Sequence, residues 1–362
     1  MGNEFIVPVG SVIKEYLEEY HISQKELADR LGMSEKQVSK LMTAKSRLTE
    51  DVAIKLEKII PDVKAGYWLN YESKYREYIA RQKSEEALAN MDLKKIAERF
   101  HFKEVFSGTE LDLVSQAQEM LKILKIASFD NFEATYSNLK VDFMEDGGKK
   151  ESIAIWLNLC EEEIELQNDD LAETDYSLKE LKKSLPMFRM LALSEEVTAL
   201  TKNCRKLCNK LGIYLVLEKP IQNCKVRGAL TTYKNHPAIY ISGRFKTHDH
   251  IWFALMHEIG HLCLHYDSKN MMVSFEEGTS NDYREEEANA FAREYFIPQE
   301  DMKKYLLEQR RESVSFSESS IRLFAKKMKV HPGIVVARLQ HDGLIENSRL
   351  NHLKCKIELA EI

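Results

Sequence analysis

The spacing of apolar residues along the chain changes twice, from helical to alternating and back. Between residues 10 and 60 the period is helical in three short runs. SVIKEYLEEY places Val12, Ile13, Tyr16 and Leu17 on one face, SQKELADRLG turns Leu27, Ala28 and Leu31 inward, and SEKQVSKLM continues with Val38 and Leu41. Ser23 and Ser34 stand where N-caps belong, and Gly32 supplies the turn between the second and third runs, where a residue without a Cβ takes a positive φ most easily. Residues 83–190 stay helical through DLKKIAERF, LDLVSQAQEMLKIL, ESIAIWLNLCEEEIEL and LKELKKSL, with one loop at EDGGKK. A further helix around SEEVTALTKNCRKLCNKLG leads into short runs of strand character, IYLVLEK, VRGALTTY and PAIYISG. Pro237 opens the last, as is tolerated at a strand start or a sheet edge.

Helical spacing then returns in IWFALMHEIGHLCLHY and in NDYREEEANAFAREYFIP, where Ala288, Phe291, Ala292, Tyr295 and Phe296 share a face. The segment SIRLFAKKMKVHPGIVVARLQHDGL repeats the spacing of the first helix pair. Its second helix opens Pro-Gly-Ile-Val-Val, too apolar for a groove-facing surface, so it reads as a packing element. The pattern predicts a mainly α protein with a small α+β domain. The expected organisation is an all-α helix-turn-helix domain over 1–82, a helical spacer or interaction region over 83–190, an α+β domain with a C-terminal helical pair over 191–345, and a tail over 346–362.

Composition changes this picture little. The chain has 362 residues, 44% hydrophobic and 30% charged, and no apolar run long enough to span a bilayer. MGNEFIVPVG lacks the basic start and apolar core of a secretion signal, which points to the cytoplasm. The net charge of −6 excludes nucleic-acid binding over the whole surface. Charge is distributed unevenly, however. Between Gly32 and Leu48 stand Lys36, Lys40, Lys45 and Arg47 against the single acid Glu35, a local excess that attracts phosphates. Glu35, Lys36, Gln37, Ser39 and Lys40 point away from the apolar face, as suits a helix entering a major groove. The eight acids between Glu161 and Asp175 read as a solvated face. Six scattered cysteines form no disulfide framework, and Cys204, Cys208 and Cys224 lack the second pair that a zinc cluster needs.

The segment HEIGHLCLH, residues 257–265, carries the candidate chemistry. His257 and His261 lie one helical turn apart on the same side, so two imidazoles converge on one ion. Glu258 is turned by about 100° around the axis and reaches a water beside that ion without ligating it. Zinc needs a third protein ligand. His265 continues the row, but it lies about 12 Å along a straight helix from His257. It therefore reads as a supporting or structural residue. The better source is the first turns of the next helix, where Glu285, Glu286 and Glu287 compete on period alone.

Two resemblances sharpen these readings. The N-terminal segment, with its continuation LTEDVAIKLEKIIPDVKAGYWLNYESKYREYIARQ, resembles Xre/Cro-type helix-turn-helix regulators, and its ending resembles HigA-type antitoxins over residues 8–82. That resemblance implies binding to operator DNA as a homodimer, with Gln24, Lys36, Gln37, Ser39 and Lys40 as contacts, supported by Lys45 and Arg47. HEIGHLCLH followed by E-x-x-A-N-x-F-A and I-P resembles the ImmA/IrrE metallopeptidases over residues 195–300. It implies a zincin-like fold, one zinc per chain, and Glu285 as the third ligand because it stands four residues before Asn289. YFIP departs mildly from the usual ending of that motif.

The combined expectation is a DNA-binding transcription regulator with a zinc-dependent endopeptidase domain. It would cleave a repressor or regulatory protein in a stress, phage, mobile-element or toxin-antitoxin setting, and PAIYISG would pair with the extended substrate. The alternative is a HigA-like antitoxin or repressor that neutralises a toxin and keeps the zinc fold as a scaffold.

Overall fold

The computed structural model describes residues 6–137, 149–196, 199–244, 246–267, 271–274, 283–311 and 316–357. It divides into two compact units between Lys94 and Lys95. The sequence pattern placed its boundaries at 82/83 and 190/191. The loop EDGGKK lies largely outside the described residues.

The first unit is built from five helices: Val9–Glu19 (α1), Gln24–Leu31 (α2), Glu35–Met42 (α3), Glu50–Ile59 (α4) and Ala65–Ala89 (α5). The short helices begin where their caps dictate. The Ser23 hydroxyl accepts from the Glu26 amide at 3.2 Å, and Gly32 ends α2 at φ 68°. Ser34 and Gln37 form a reciprocal capping box at the start of α3, with the Ser34 amide donating to Gln37 Oε1 at 2.8 Å. Leu27, Ala28, Leu31, Val38 and Leu41 are all buried, as the pattern predicts. Gly10 has a role that periodicity does not show. A Cβ there would collide with the Met42 backbone, so a glycine lets α1 cross α3 closely. Trp68, fully buried and edge-on to Tyr16 at 5.3 Å, pins the start of α5 to this core.

The second unit is helical except for one small sheet. Leu93–Arg99 (α6), within which the division falls, Phe102–Val105 (α7), Leu113–Ile123 (α8), Phe132–Thr135 (α9), Lys150–Gln167 (α10), Leu178–Leu191 (α11) and Arg205–Lys210 (α12) precede it. The strands are Tyr214–Glu218 (β1), Gly228–Tyr233 (β2), His236–Ser242 (β3) and Met272–Ser274 (β4), in the order β1-β3-β2-β4. β1 runs parallel to β3, while β2 is antiparallel to both β3 and β4. Lys234 and Asn235, both at positive φ, make the two-residue turn of the β2–β3 hairpin.

This order corrects one expectation. β3, the PAIYISG strand, lies between β1 and β2 and has no edge left for a substrate. On the β2 side the outermost strand among the described residues is β4, which pairs with Gly228–Leu230. Pro237 is accommodated because it sits at the start of its strand, not because the strand is an edge.

The helical middle shares a core with the sheet. Residues 152–158 of α10 are all buried, and Trp156 packs edge-on against Tyr240 of β3 at 6.4 Å. Such all-round burial is what an interior helix shows. The acidic run that follows is mainly exposed or half-buried, with Glu161 paired to Lys125 at 2.7 Å and Glu165 accepting from Tyr233 at 2.9 Å. His248–Leu264 (α13) then crosses the core with 14 of its 17 residues buried, which leaves no solvent face and makes its polar residues costly. Tyr283–Phe296 (α14) lies against it. Gln299–Arg311 (α15), Glu318–Met328 (α16) and Pro332–His341 (α17) complete the unit, and Ile334, Val335, Val336 and Leu339 of α17 join the core around α13. No described helix is long and apolar enough to cross a membrane.

Candidate metal centre and nucleic-acid interface

The close approach of α13 and α14 depends on small residues. Gly260 faces Ala288, and a Cβ at Gly260 would meet Ala288 and the Phe291 ring at 3.2–3.3 Å. At this crossing His257 and His261, each 1% exposed, turn toward α14. Their Nε2 atoms are 3.0 Å apart. Glu285 closes the triangle, with Oε2 at 3.2 Å from His257 Nε2 and Oε1 at 3.0 Å from His261 Nε2. The structure thereby separates the three glutamates that the sequence left in competition. Glu285 is half-buried and faces the imidazoles, Glu286 is exposed, and Glu287 pairs with His265 at 3.4 Å. His265 sits at the C-cap of α13 and is not one of the three converging donors.

Asn289, one turn after Glu285, is a residue that spacing alone did not assign. Its Oδ1 lies 2.8 Å from His257 Nδ1. With that nitrogen donating its proton, the Nε2 lone pair is directed at the triangle, the usual way a ligand histidine is oriented. The signal was present in the sequence as an Asn four residues beyond the glutamate on the same helix face.

The donor set fits a small divalent cation. Two imidazole nitrogens and a carboxylate with edges of 3.0–3.2 Å approach the roughly 3.3 Å separation of ligands around a tetrahedral ion with bonds of about 2.0–2.1 Å. A triangle of acceptors at this distance repels itself unless protons or a cation sit between them. The electrostatics agree with this. Burial disfavours the charged form of Glu285, but its hydrogen bonds to His257 and His261 outweigh burial and pull its pKa down to about 2. Burial likewise opposes the charged form of His261, and Glu285 and Glu258 overcome it and raise its pKa. Among the described residues no other three His, Cys, Asp or Glu donors come together, and Cys204, Cys208 and Cys224 are buried free thiols.

Glu258 projects from α13 toward the sheet. It is fully buried, with the Ser274 hydroxyl of β4 as the neutral polar group nearest its carboxylate. Burial raises its pKa above the ordinary carboxylate range, against the pull of His257 and His261. Gly228 of β2 makes room for it, because a Cβ there would collide with Oε1. A carboxyl held beside this triangle, and biased toward accepting a proton, is suited to proton transfer.

On the first unit, Gln24, Lys36, Gln37, Ser39, Lys40, Lys45 and Arg47 are all exposed. They fall on α2, on α3 and on the loop that follows it. Gln37 is engaged by its own helix, since its Oε1 caps the Ser34 amide. The loop carrying Lys45 and Arg47 is held from within the unit by Arg76 of α5. Its guanidinium donates to the Ala44 and Ser46 carbonyls at 3.3 and 3.1 Å, and to the buried Glu72 at 2.7 Å. Sequence reasoning missed this pair. Its only trace is a Glu and an Arg four apart on a predicted helix.

Comparison with known proteins agrees with both halves. Residues 13–68 match the helix-turn-helix family, and residues 208–340 match the M78 peptidase family, described as IrrE N-terminal-like domain. The chain is also 35% identical over 60 residues to virulence-associated protein A of Dichelobacter nodosus, covering 17% of this chain and 59% of that protein. It thus spans less than two thirds of the length of that relative.

Proposed function

We propose that this chain, which joins a helix-turn-helix domain to an IrrE-like peptidase domain, is a DNA-binding regulator whose second unit is a zinc-dependent endopeptidase acting on a regulatory protein. The observation that carries the reading is the triangle of the buried His257 and His261 with the half-buried Glu285, and the buried Glu258 beside it. A scaffold without chemistry has no need for three buried ionisable groups and a half-buried fourth in one place, since each costs stability unless it is used or paired.

In this reading His257, His261 and Glu285 hold one zinc. Bound there, the metal supplies Lewis acidity toward water and toward the scissile carbonyl. The remaining work falls to side chains. Asn289 fixes the His257 ring so that its Nε2 faces inward. Glu258 takes the proton of the attacking water and passes it to the leaving amine, a transfer that its raised pKa favours. The β4 edge offers backbone groups to an extended substrate. His265, held by Glu287, steadies the end of α13.

The first unit places this chemistry at an operator, bound as a homodimer. Lys36, Ser39 and Lys40 enter the groove, Gln24 and Gln37 flank them, and Lys45 and Arg47 meet phosphates. Cleavage of a repressor there links proteolysis to transcription in a cytoplasmic stress, mobile-element or toxin-antitoxin response.

The test is metal content by mass spectrometry on the full chain and on Glu285→Ala. About one zinc per chain in the first and none in the second is the expected result. No zinc in either overturns the enzymatic reading and leaves a repressor or antitoxin.

A further inference from the structure

Glu258 lies over one row of the sheet. Gly228 of β2 has Ile241 of β3 as its register partner on one side and Ser274 of β4 on the other. Residues directly opposite each other in neighbouring strands share a face. The three positions therefore look toward α13, because Glu258 stands above Gly228, where a Cβ would come within 3.0 Å of its Cγ and Cδ. The row beneath the carboxylate thus offers an isoleucine, a glycine and a serine.

Polar side chains are scarce on this face of β2, β3 and β4. Leu230, Ile239 and Ile241 belong to the apolar core, and the Thr232 hydroxyl is 2.9 Å from the Tyr266 hydroxyl. That leaves Ser274, which is fully buried. Its hydroxyl is the neutral polar group nearest the Glu258 carboxylate, and it has no other partner among the described residues. A buried hydroxyl without a partner is costly, and so is a buried carboxylate. One hydrogen bond between them offsets both costs. A serine hydroxyl has a single proton to donate, so it holds one carboxylate oxygen and not the other.

We propose that Ser274 is the positioning residue of Glu258: its hydroxyl donates to one carboxylate oxygen and leaves the other turned to His257, His261 and Glu285. Ser274 belongs to β4, where the Arg227 amide donates to its carbonyl at 2.9 Å. The strand whose edge meets an extended substrate is then also the strand that orients the proton acceptor. This catalytic consequence rests on the endopeptidase reading, and the hydrogen bond itself does not.

The hydrogen bond is tested by a double-mutant cycle in thermal unfolding, on the full-length chain stripped of metal with EDTA. Ser274→Ala lowers the unfolding temperature of the second unit by about 2–4 °C, because a buried carboxylate loses its donor. In a Glu258→Leu background the same substitution leaves that temperature unchanged or raises it, because the hydroxyl then has nothing to donate to. A shift of the same size in both backgrounds overturns the proposal. Ser274→Cys keeps the bulk and donates only weakly, and it carries the same cycle where the alanine variant does not fold.

The catalytic consequence is read on the zinc-loaded chain with internally quenched nonapeptides of randomised sequence. For the best-cleaved peptide, Ser274→Ala lowers kcat by about tenfold or more and leaves KM within about twofold, the pattern of an interaction that matters in the transition state alone. A raised KM with kcat unchanged overturns the positioning role, since Ser274 would then shape the strand that receives the peptide. The cycle is run without metal and without turnover. A chain that holds no zinc therefore refutes the peptidase reading, while the hydrogen bond stands or falls on the cycle.

Discussion

The two candidate faces of this protein place their polar groups in opposite environments. Around α3 every candidate contact residue is exposed, and the fold's task is to hold a surface in shape. At the α13–α14 crossing the functional groups are buried to within 1% exposure for His257, Glu258 and His261, and the fold's task is to make that burial tolerable. An exposed charge costs little and contributes little locally, whereas a buried one must be matched by a partner of fixed geometry. Substitutions should therefore behave differently at the two faces, gradual and additive at the first, abrupt and coupled at the second.

The largest expected effect is at Glu258. Glu258→Gln retains about one zinc per chain and the wild-type melting temperature but loses cleavage by at least about a hundredfold, the usual yield of a general base. Retained cleavage of the physiological target in this variant would remove the contrast between the faces, because burial would then serve structure alone. His257→Ala should remove the metal as well, since two donors remain and Asn289 loses its partner. Metal analysis beside a melting curve reads both.

Next comes Gly228→Ala. The added Cβ meets a carboxylate that has nowhere to move, so activity should fall by roughly tenfold or more with the metal retained. A comparably small change on the DNA face, Ser39→Ala, should alter operator affinity by only a few-fold. Steady-state cleavage and fluorescence anisotropy make the two measurements.

On the first unit, Lys36→Ala with Lys40→Ala should weaken operator binding and relax its sequence preference, with the fold intact. Arg76→Leu tests the exception. It leaves Glu72 buried without its partner, at a cost of about 3 kcal/mol, and releases the loop of Lys45 and Arg47. If Arg76→Leu proves as mild as the surface lysines, buried and exposed charges do not differ in this way even within the first unit.

The smallest effect at neutral pH belongs to His248, at the start of α13. Burial, with the neighbouring His331 ring adding to it, depresses its pKa to about 4. The unfolded chain binds that proton near its ordinary value of about 6.5, so the stability of the second unit is full above that pH and declines as pH falls toward 4. The slope is at most about 1.4 kcal/mol per pH unit. Urea denaturation across this window should show it in the wild type and a flatter profile in His248→Asn.

Legibility in the sequence differed between the faces for the same reason. Ser23, Gly32, Ser34 and the inward Leu27, Ala28, Leu31, Val38 and Leu41 act on neighbours within a few residues, so spacing alone located the helix-turn-helix. His257 and His261 were equally readable, because one helical turn fixes their common direction. Beyond those, period was blind. It could not rank Glu285 above Glu286 and Glu287, it assigned no task to Asn289, and it offered β3 as a substrate edge when the sheet order makes it interior. Nor did it see that Arg76 reaches back 30 and 32 residues to the loop after α3.

What the sequence determined by itself was set by repeat and by capping: the longer amphipathic helices, the turn, the two histidines on one side, and the local excess of positive charge. What the tertiary structure decided was which carboxylate meets the histidines, which glycine makes room for Glu258, and which strand is left at the edge. The division follows from range. A helix repeats every 3.6 residues and so announces its faces locally. Which faces meet depends on the packing of segments far apart in the chain, and only close-packed geometry at a few tenths of an ångström chooses among side chains that period treats as equal.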